Sequence, residues 1–194
     1  MKLILATGNP GKVREVSRVL AGYDIALEPV AVELAETRSD DVSEIARDKA
    51  QDALLVLGRP LIVDDTGLFL EAYPGFPGAL SRWVVDRIGV AGLLRLLEGG
   101  SHAAHFRTAV AYTEPGGRPQ VFVGAAEGEL RRESGPPAEP SLPYDPWFAP
   151  SDGDGRVYSE MEVEEKLRLS SRARAVHAFA AWWLAHRSGH GAAG

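Results

Sequence analysis

The feature that most constrains this chain is the regular alternation of short apolar runs and helical stripes in its first third. Leu3 to Ala6 read as a short buried strand, and Thr7-Gly8-Asn9-Pro10-Gly11 as a turn. Val13, Val16 and Leu20 then recur at helical spacing and predict a helix from about Gly11 to Ala21, stopped near Gly22. Ile25 to Val32 offers a second strand, which Pro29 restricts to an edge or irregular position because proline donates no ladder hydrogen bond. Val42, Ile45, Ala46, Lys49, Ala50, Ala53, Leu54 and Leu57 trace the next helical stripe, closed by Gly58 and Pro60. Asp41 with Glu44 has the spacing of a capping box at its start. Leu61-Ile62-Val63 is a further apolar strand that runs straight into Asp64-Asp65-Thr66-Gly67. Strands alternating with helices in this way predict an α/β fold.

The remainder adds antiparallel character. Proline and glycine between Tyr73 and Gly78 predict irregular backbone, and Trp83 to Leu97 a helical region broken around Gly89 and Gly92. Phe106 to Tyr112 and Val121 to Leu130, separated by Glu114-Pro115-Gly116-Gly117, read as a hairpin. Arg131 to Pro143 reads as a surface loop and Ser170 to Arg187 as the last helix. At 194 residues the expectation is one domain over 1–187 with a flexible tail over 188–194. The absence of cysteine excludes disulfides, thiolate catalysis and cysteine-ligated metal. A formal net charge of -6 argues against coating a nucleic-acid polymer. No apolar stretch approaches the length of a signal-peptide core or a membrane helix, so a cytoplasmic location is expected.

Three places carry candidate chemistry. Glycines between a strand end and a helix start let backbone amides converge on an anion, and Lys12 stands in a first helical turn where a cation opposes the helix dipole. Anion binding and a simple capped turn both explain that segment. Asp64 and Asp65 follow an apolar strand, where open α/β folds place reactive groups, and alternation sends their side chains to opposite faces. They suit a magnesium site or a turn cap. Lys166, Arg168, Arg172 and Arg174 concentrate positive charge late in the chain, for which pairing with Glu162, Glu164 or Glu165 is the ordinary explanation. Tyr144-Asp145-Pro146-Trp147-Phe148 could wall a planar ligand or clamp a loop onto the core. The five histidines show no metal-ligand spacing.

Taken in order, TGNPGKVREV, LAETRSDDVSEIARDKAQDA, LIVDDTGLFLEAYPGFPGALSRWV, YDPWF and EEKLRLSSRARA resemble the inosine triphosphate pyrophosphatase family, from Lys2 to about Leu184. That resemblance implies a mixed, twisted sheet with flanking helices, two lobes around a central cleft, and a homodimer. It implies magnesium-dependent cleavage of non-standard purine nucleoside triphosphates (ITP, dITP, XTP) to monophosphate and pyrophosphate. Thr7, Gly8, Asn9, Pro10, Gly11 and Lys12 would cradle the triphosphate. Glu36, Asp65 and Asp64 would serve the metal, with Asp65 as general base and Lys12 sharing in catalysis. Thr66 would touch substrate, Leu142, Pro143, Tyr144 and Asp145 would flank base and sugar, Lys166 would contact the nucleotide, and Ser171 and Arg172 would read the base. Two departures bear on base choice. Leu142-Pro143 stands where the family has Phe-Gly, and Ser170-Ser171-Arg172 where it has Ser-His-Arg. A related hydrolase of altered base preference and a nucleotide-binding module without turnover are the alternatives.

Overall fold

The computed structural model describes residues 2–34, 39–132 and 142–190. Among them, β1 (Leu3–Ala6), α1 (Pro10–Ala21), β2 (Leu27–Val30), α2 (Val42–Leu57) and β3 (Leu61–Leu70) realise the expected alternation. β4 (Tyr73–Gly78), α3 (Ser81–Leu96), β5 (Ala103–Thr113), β6 (Gln120–Leu130), β7 (Phe148–Pro150), α4 (Val163–Leu169) and α5 (Ser171–His190) follow. The strands form one mixed sheet in the order β2-β1-β3-β5-β6-β7, with β4 paired to β3. β1 runs parallel to both β2 and β3, while β3, β5 and β6 are antiparallel neighbours. Pro29 sits in the edge strand β2, as its missing donor requires.

Four expectations change in detail. β3 does not turn at Asp64 but continues to Leu70, because its partner β5 pairs with it along the whole length, from Leu61 opposite Thr113 to Leu70 opposite Ala104. Tyr73 to Gly78 forms a strand rather than irregular chain, held against Leu68 and Phe69. Asp41 does cap α2, accepting from the Ser43 amide at 2.8 Å, but Glu44 pairs with Ser39 at 2.7 Å, so no reciprocal box forms. The break in α3 falls at Gly89, whose φ of 65° suits glycine. α5 extends to His190, past the expected helix end.

Strand alternation sorts the core. Leu3, Leu5, Ile62, Val110 and Tyr112 face α1 and α5, meeting Val16, Leu20, Val176 and Phe179. Ile4, Ala6, Leu61, Val63, Ala109 and Ala111 face the opposite way, toward Val42, Ala46, Ala50 and Ala53 of α2. The small residues of α2 allow that helix to lie close to the sheet. Farther along β3 and β5, Leu68, Leu70, Ala104 and Phe106 return to the α1/α5 face but pack against Val84, Leu93, Tyr144, Phe148 and Tyr158. Two apolar clusters therefore share one face of the sheet. Between them the strands carry Asp64, Thr66 and Thr108 in place of aliphatic side chains.

Candidate active site

That polar gap opens into a cavity of about 370 Å³, within the usual range for small-molecule sites. Thr7, Gly8, Asn9 and Lys12 of the first turn, Lys49 of α2, Asp65 and Thr66 of β3, the segment Leu142 to Asp145, and Lys166, Ser171 and Arg172 line it together. The structure thus gathers residues drawn from five separate stretches of sequence. Glu36 lies outside the described residues.

The first turn is built around Asn9. Its side-chain oxygen accepts from the amides of Gly11 at 2.9 Å and Lys12 at 3.3 Å, capping α1. Those two amides are therefore already paired, as in the capped turn that is one of the two readings of this segment. Pro10 and Gly11 lie in the first helical turn and are not part of the cavity wall. Positive potential at the turn comes instead from Lys12, whose Nζ donates to the Asp64 backbone carbonyl at 3.1 Å and lies 3.2 Å from its carboxylate.

Alternation along β3 separates the two aspartates, as expected. Asp65 points toward α2, where Lys49 Nζ meets Oδ1 at 2.6 Å. Burial raises the Asp65 carboxyl above its ordinary value, and the Lys49 ammonium offsets only part of that rise. Asp64 points toward α5. Its Oδ2 accepts from Arg172 Nε at 2.9 Å, and its Oδ1 is buried without a partner among the described residues. Burial alone would raise the Asp64 carboxyl, but Lys12 and Arg172 outweigh it and hold the group below the usual range. Neighbouring carboxylates thus differ in character, one tightly ionised and one closer to accepting a proton. Asp65 lines the cavity, whereas Asp64 is not part of its wall.

Lys166, Arg172 and Arg174 do not pair with Glu162, Glu164 or Glu165 as their closeness in sequence suggested. Arg172 spans Asp64 and Glu15, and Lys166 spans Glu15 at 2.5 Å and Asp145 at 2.6 Å. Lys12, Asp64, Arg172, Glu15, Lys166 and Asp145 form an alternating chain of charges across the wall, largely shielded from water. Asp145 in turn accepts the Leu142 amide at 2.9 Å and fixes the loop bearing Leu142 and Pro143. Glu164 and Glu165 pair elsewhere, with Arg18 and Arg156, and Arg174 pairs with Asp152 at 2.6 Å. Tyr144 and Phe148 are core residues, the Tyr144 hydroxyl donating to the Ser81 carbonyl at 2.8 Å. Tyr144 and Asp145 also line the cavity, so this segment both clamps and walls.

Sequence reasoning missed Lys49, Glu15 and Thr108. Lys49 stood in the α2 stripe as the one charged member, a signal that something anionic faces that stripe. Glu15 offered none, since a charged residue within a surface helix is ordinary. The histidines also hide a cluster: strand register brings His105 to 2.7 Å from Glu71 and 4.0 Å from Glu127, a group that could hold a metal ion on the exposed sheet.

Comparison with known proteins agrees with this architecture. Residues 3–182 match the model of the Ham1 family. The chain is 44% identical over 184 residues, 94% of this chain and 96% of the relative, to the dITP/XTP pyrophosphatase of Methanopyrus kandleri. It is 39% identical over 181 residues, 93% of this chain and 91% of the relative, to inosine triphosphate pyrophosphatase 2 of Trypanosoma cruzi. A HAM1 protein structure from Coxiella burnetii superposes with a TM-score of 0.78 at 26% identity, covering 95% of this chain and 98% of that one. Its sequence motifs, its mixed sheet and these matches agree: the chain belongs to the Ham1 family, the inosine triphosphate pyrophosphatase family that its motifs resemble.

Proposed function

We propose that this protein hydrolyses non-standard purine nucleoside triphosphates, such as ITP, dITP and XTP, to the monophosphate and pyrophosphate. The observation that carries the reading is one cavity lined together by the cations Lys12 and Lys49 and the carboxylate Asp65, which Lys49 meets by one oxygen. Relatives named for dITP, XTP or inosine triphosphate pyrophosphatase activity support the substrate class.

Lys12, partly exposed to the cavity, meets triphosphate oxygens and offsets charge that builds on the departing pyrophosphate. Lys49 holds Asp65 by one oxygen and leaves the other without a protein partner among the described residues. That free oxygen is placed to accept a proton from the attacking water. The donor set also fits magnesium, which takes oxygen ligands from one or two carboxylates together with substrate phosphates. Asp65 and Glu36 would hold it, with Asp64 beside them. When bound, the ion supplies Lewis-acid activation of water and phosphate. Asp64, held by Lys12 and Arg172 through Oδ2, serves mainly to orient those cations.

Arg172 commits one N–H each to Asp64, Glu15 and Thr66, so it cannot swing toward a base without leaving buried acids unpaired. A homodimer and a cytoplasmic location belong to the same reading. The exposed apolar side chains of Leu80, Trp83, Ile88 and Leu96 on and beside α3 support a protein partner. The deciding experiment assays pyrophosphate against orthophosphate from ITP, XTP, GTP and ATP, with and without a chelator. Pyrophosphate release from ITP and XTP, lost on chelation and in Asp65→Asn, is the expected result. A clear ATP preference, orthophosphate as the only product, or near-normal turnover by Asp65→Asn would refute it.

A further inference from the structure

Three hydroxyls of the cavity lining form a row. Thr66 on β3 stands opposite Thr108 on β5, and Thr108 stands opposite Gly124 on β6. A Cβ at Gly124 would lie 2.2 Å from the Ser171 carbonyl, so only glycine lets the start of α5 settle onto the sheet there. With α5 seated, Thr66 Oγ1 lies 2.9 Å from Thr108 Oγ1, which lies 2.8 Å from Ser171 Oγ. Thr108 is completely buried and Ser171 nearly so, yet all three line the cavity.

The row has a direction. Arg172 Nη2 donates to Thr66 Oγ1 at 3.3 Å, and a guanidinium has only donors to offer. Its positive charge turns the Thr66 hydrogen away, toward Thr108. Each hydroxyl carries a single hydrogen, so Thr108 passes its own to Ser171, and such chains polarise one another. Ser171 then accepts from Thr108 and retains its hydrogen; among the described residues its hydroxyl has no other side-chain partner.

We propose that Arg172, Thr66 and Thr108 form a one-way hydrogen-bond row that fixes the Ser171 hydroxyl as a donor into the cavity, selecting a purine edge that bears a carbonyl over one that bears an amino group. This rests on the pyrophosphatase reading and assigns base choice to hydroxyls in place of an aromatic ring. Thr108 touches no substrate in this scheme; it is a positioning residue.

The test measures kcat/KM for ITP, ATP and purine riboside triphosphate, which has no group at the 6-position, in the wild type and in Thr108→Val, Thr108→Ser and Ser171→Ala. Loss of one oriented hydrogen bond should reduce the ITP-to-ATP ratio about tenfold in Thr108→Val. The purine riboside value should stay unchanged, and Thr108→Ser should restore the ratio. A purely structural role would lower all three substrates together and so overturn the proposal. Ser171→Ala must show the same loss of ratio, which keeps the test decisive if Thr108→Val fails to fold. An active wild type whose ratio is unmoved by either variant refutes the hydroxyl row alone. No pyrophosphate from any substrate refutes the pyrophosphatase reading, and this inference with it.

Discussion

Replacing Glu15 with alanine probes the buried charge chain at its middle. Glu15 joins Arg172 and Lys166, whose side chains are 8% and 12% exposed, while its own is 10% exposed. With Asp64 and Asp145 it balances three cations, Lys12, Arg172 and Lys166, by three carboxylates. Glu15→Ala leaves an excess positive charge in a site nearly closed to water. Removing one partner of a buried pair typically costs about 3–5 kcal/mol, far more than an exposed pair is worth. For a chain of this size each kcal/mol moves Tm by about 2–4 °C, so the variant should melt roughly 6–20 °C below the wild type at neutral pH. Thermal unfolding followed by circular dichroism, with a urea titration as a second measure, reads this directly. The effect also has a pH signature. Burial opposes ionisation of Glu15, but Arg172 and Lys166 prevail and hold the carboxyl below its ordinary 4.5. A depressed acid stabilises the fold above its unfolded value, and that contribution disappears as pH falls through the folded value. The gap between wild type and variant should therefore narrow in acid. A drop of less than about 2 °C at neutral pH would show that desolvation already cancels the attraction, and the reasoning would fail.

Lys49→Met should move the acid limb of the kcat/KM profile to higher pH, since burial would then act on Asp65 without the offsetting ammonium; an unmoved limb counts against Asp65 as the base. Asp65→Asn should leave Tm at neutral pH unchanged or slightly higher while turnover collapses, because burial disfavours the ionised form that it removes; a large loss of Tm contradicts this. Gly124→Ala should destabilise by about 1–3 kcal/mol or more, since the added methyl meets backbone atoms of α5, and should raise KM by displacing Ser171; a neutral substitution refutes the close approach.

Much of the architecture was legible locally. Strand, turn and helix in the first 63 residues follow from apolar period, Pro29 and Gly58, and each requires only neighbours in sequence. The β5–β6 hairpin was equally readable from its turn residues. β3 was not: an apolar run that ends at Val63 reads as a stop, and only pairing with β5 carries Asp64 to Leu70 onward as strand. The same reason hid β4, whose prolines and glycines argue for loop until β3 supplies a partner.

By itself the sequence determined an α/β class, a turn between the first strand and helix, and two aspartates sent to opposite faces. These depend on residue type and on the two-residue period of a strand. Only the tertiary structure decided what each charge meets. Glu15 and Lys166 are separated by 151 positions and Asp64 and Arg172 by 108, yet they share one wall. Charge pairing depends on distance in space and on exclusion of water, and neither is encoded in local periodicity.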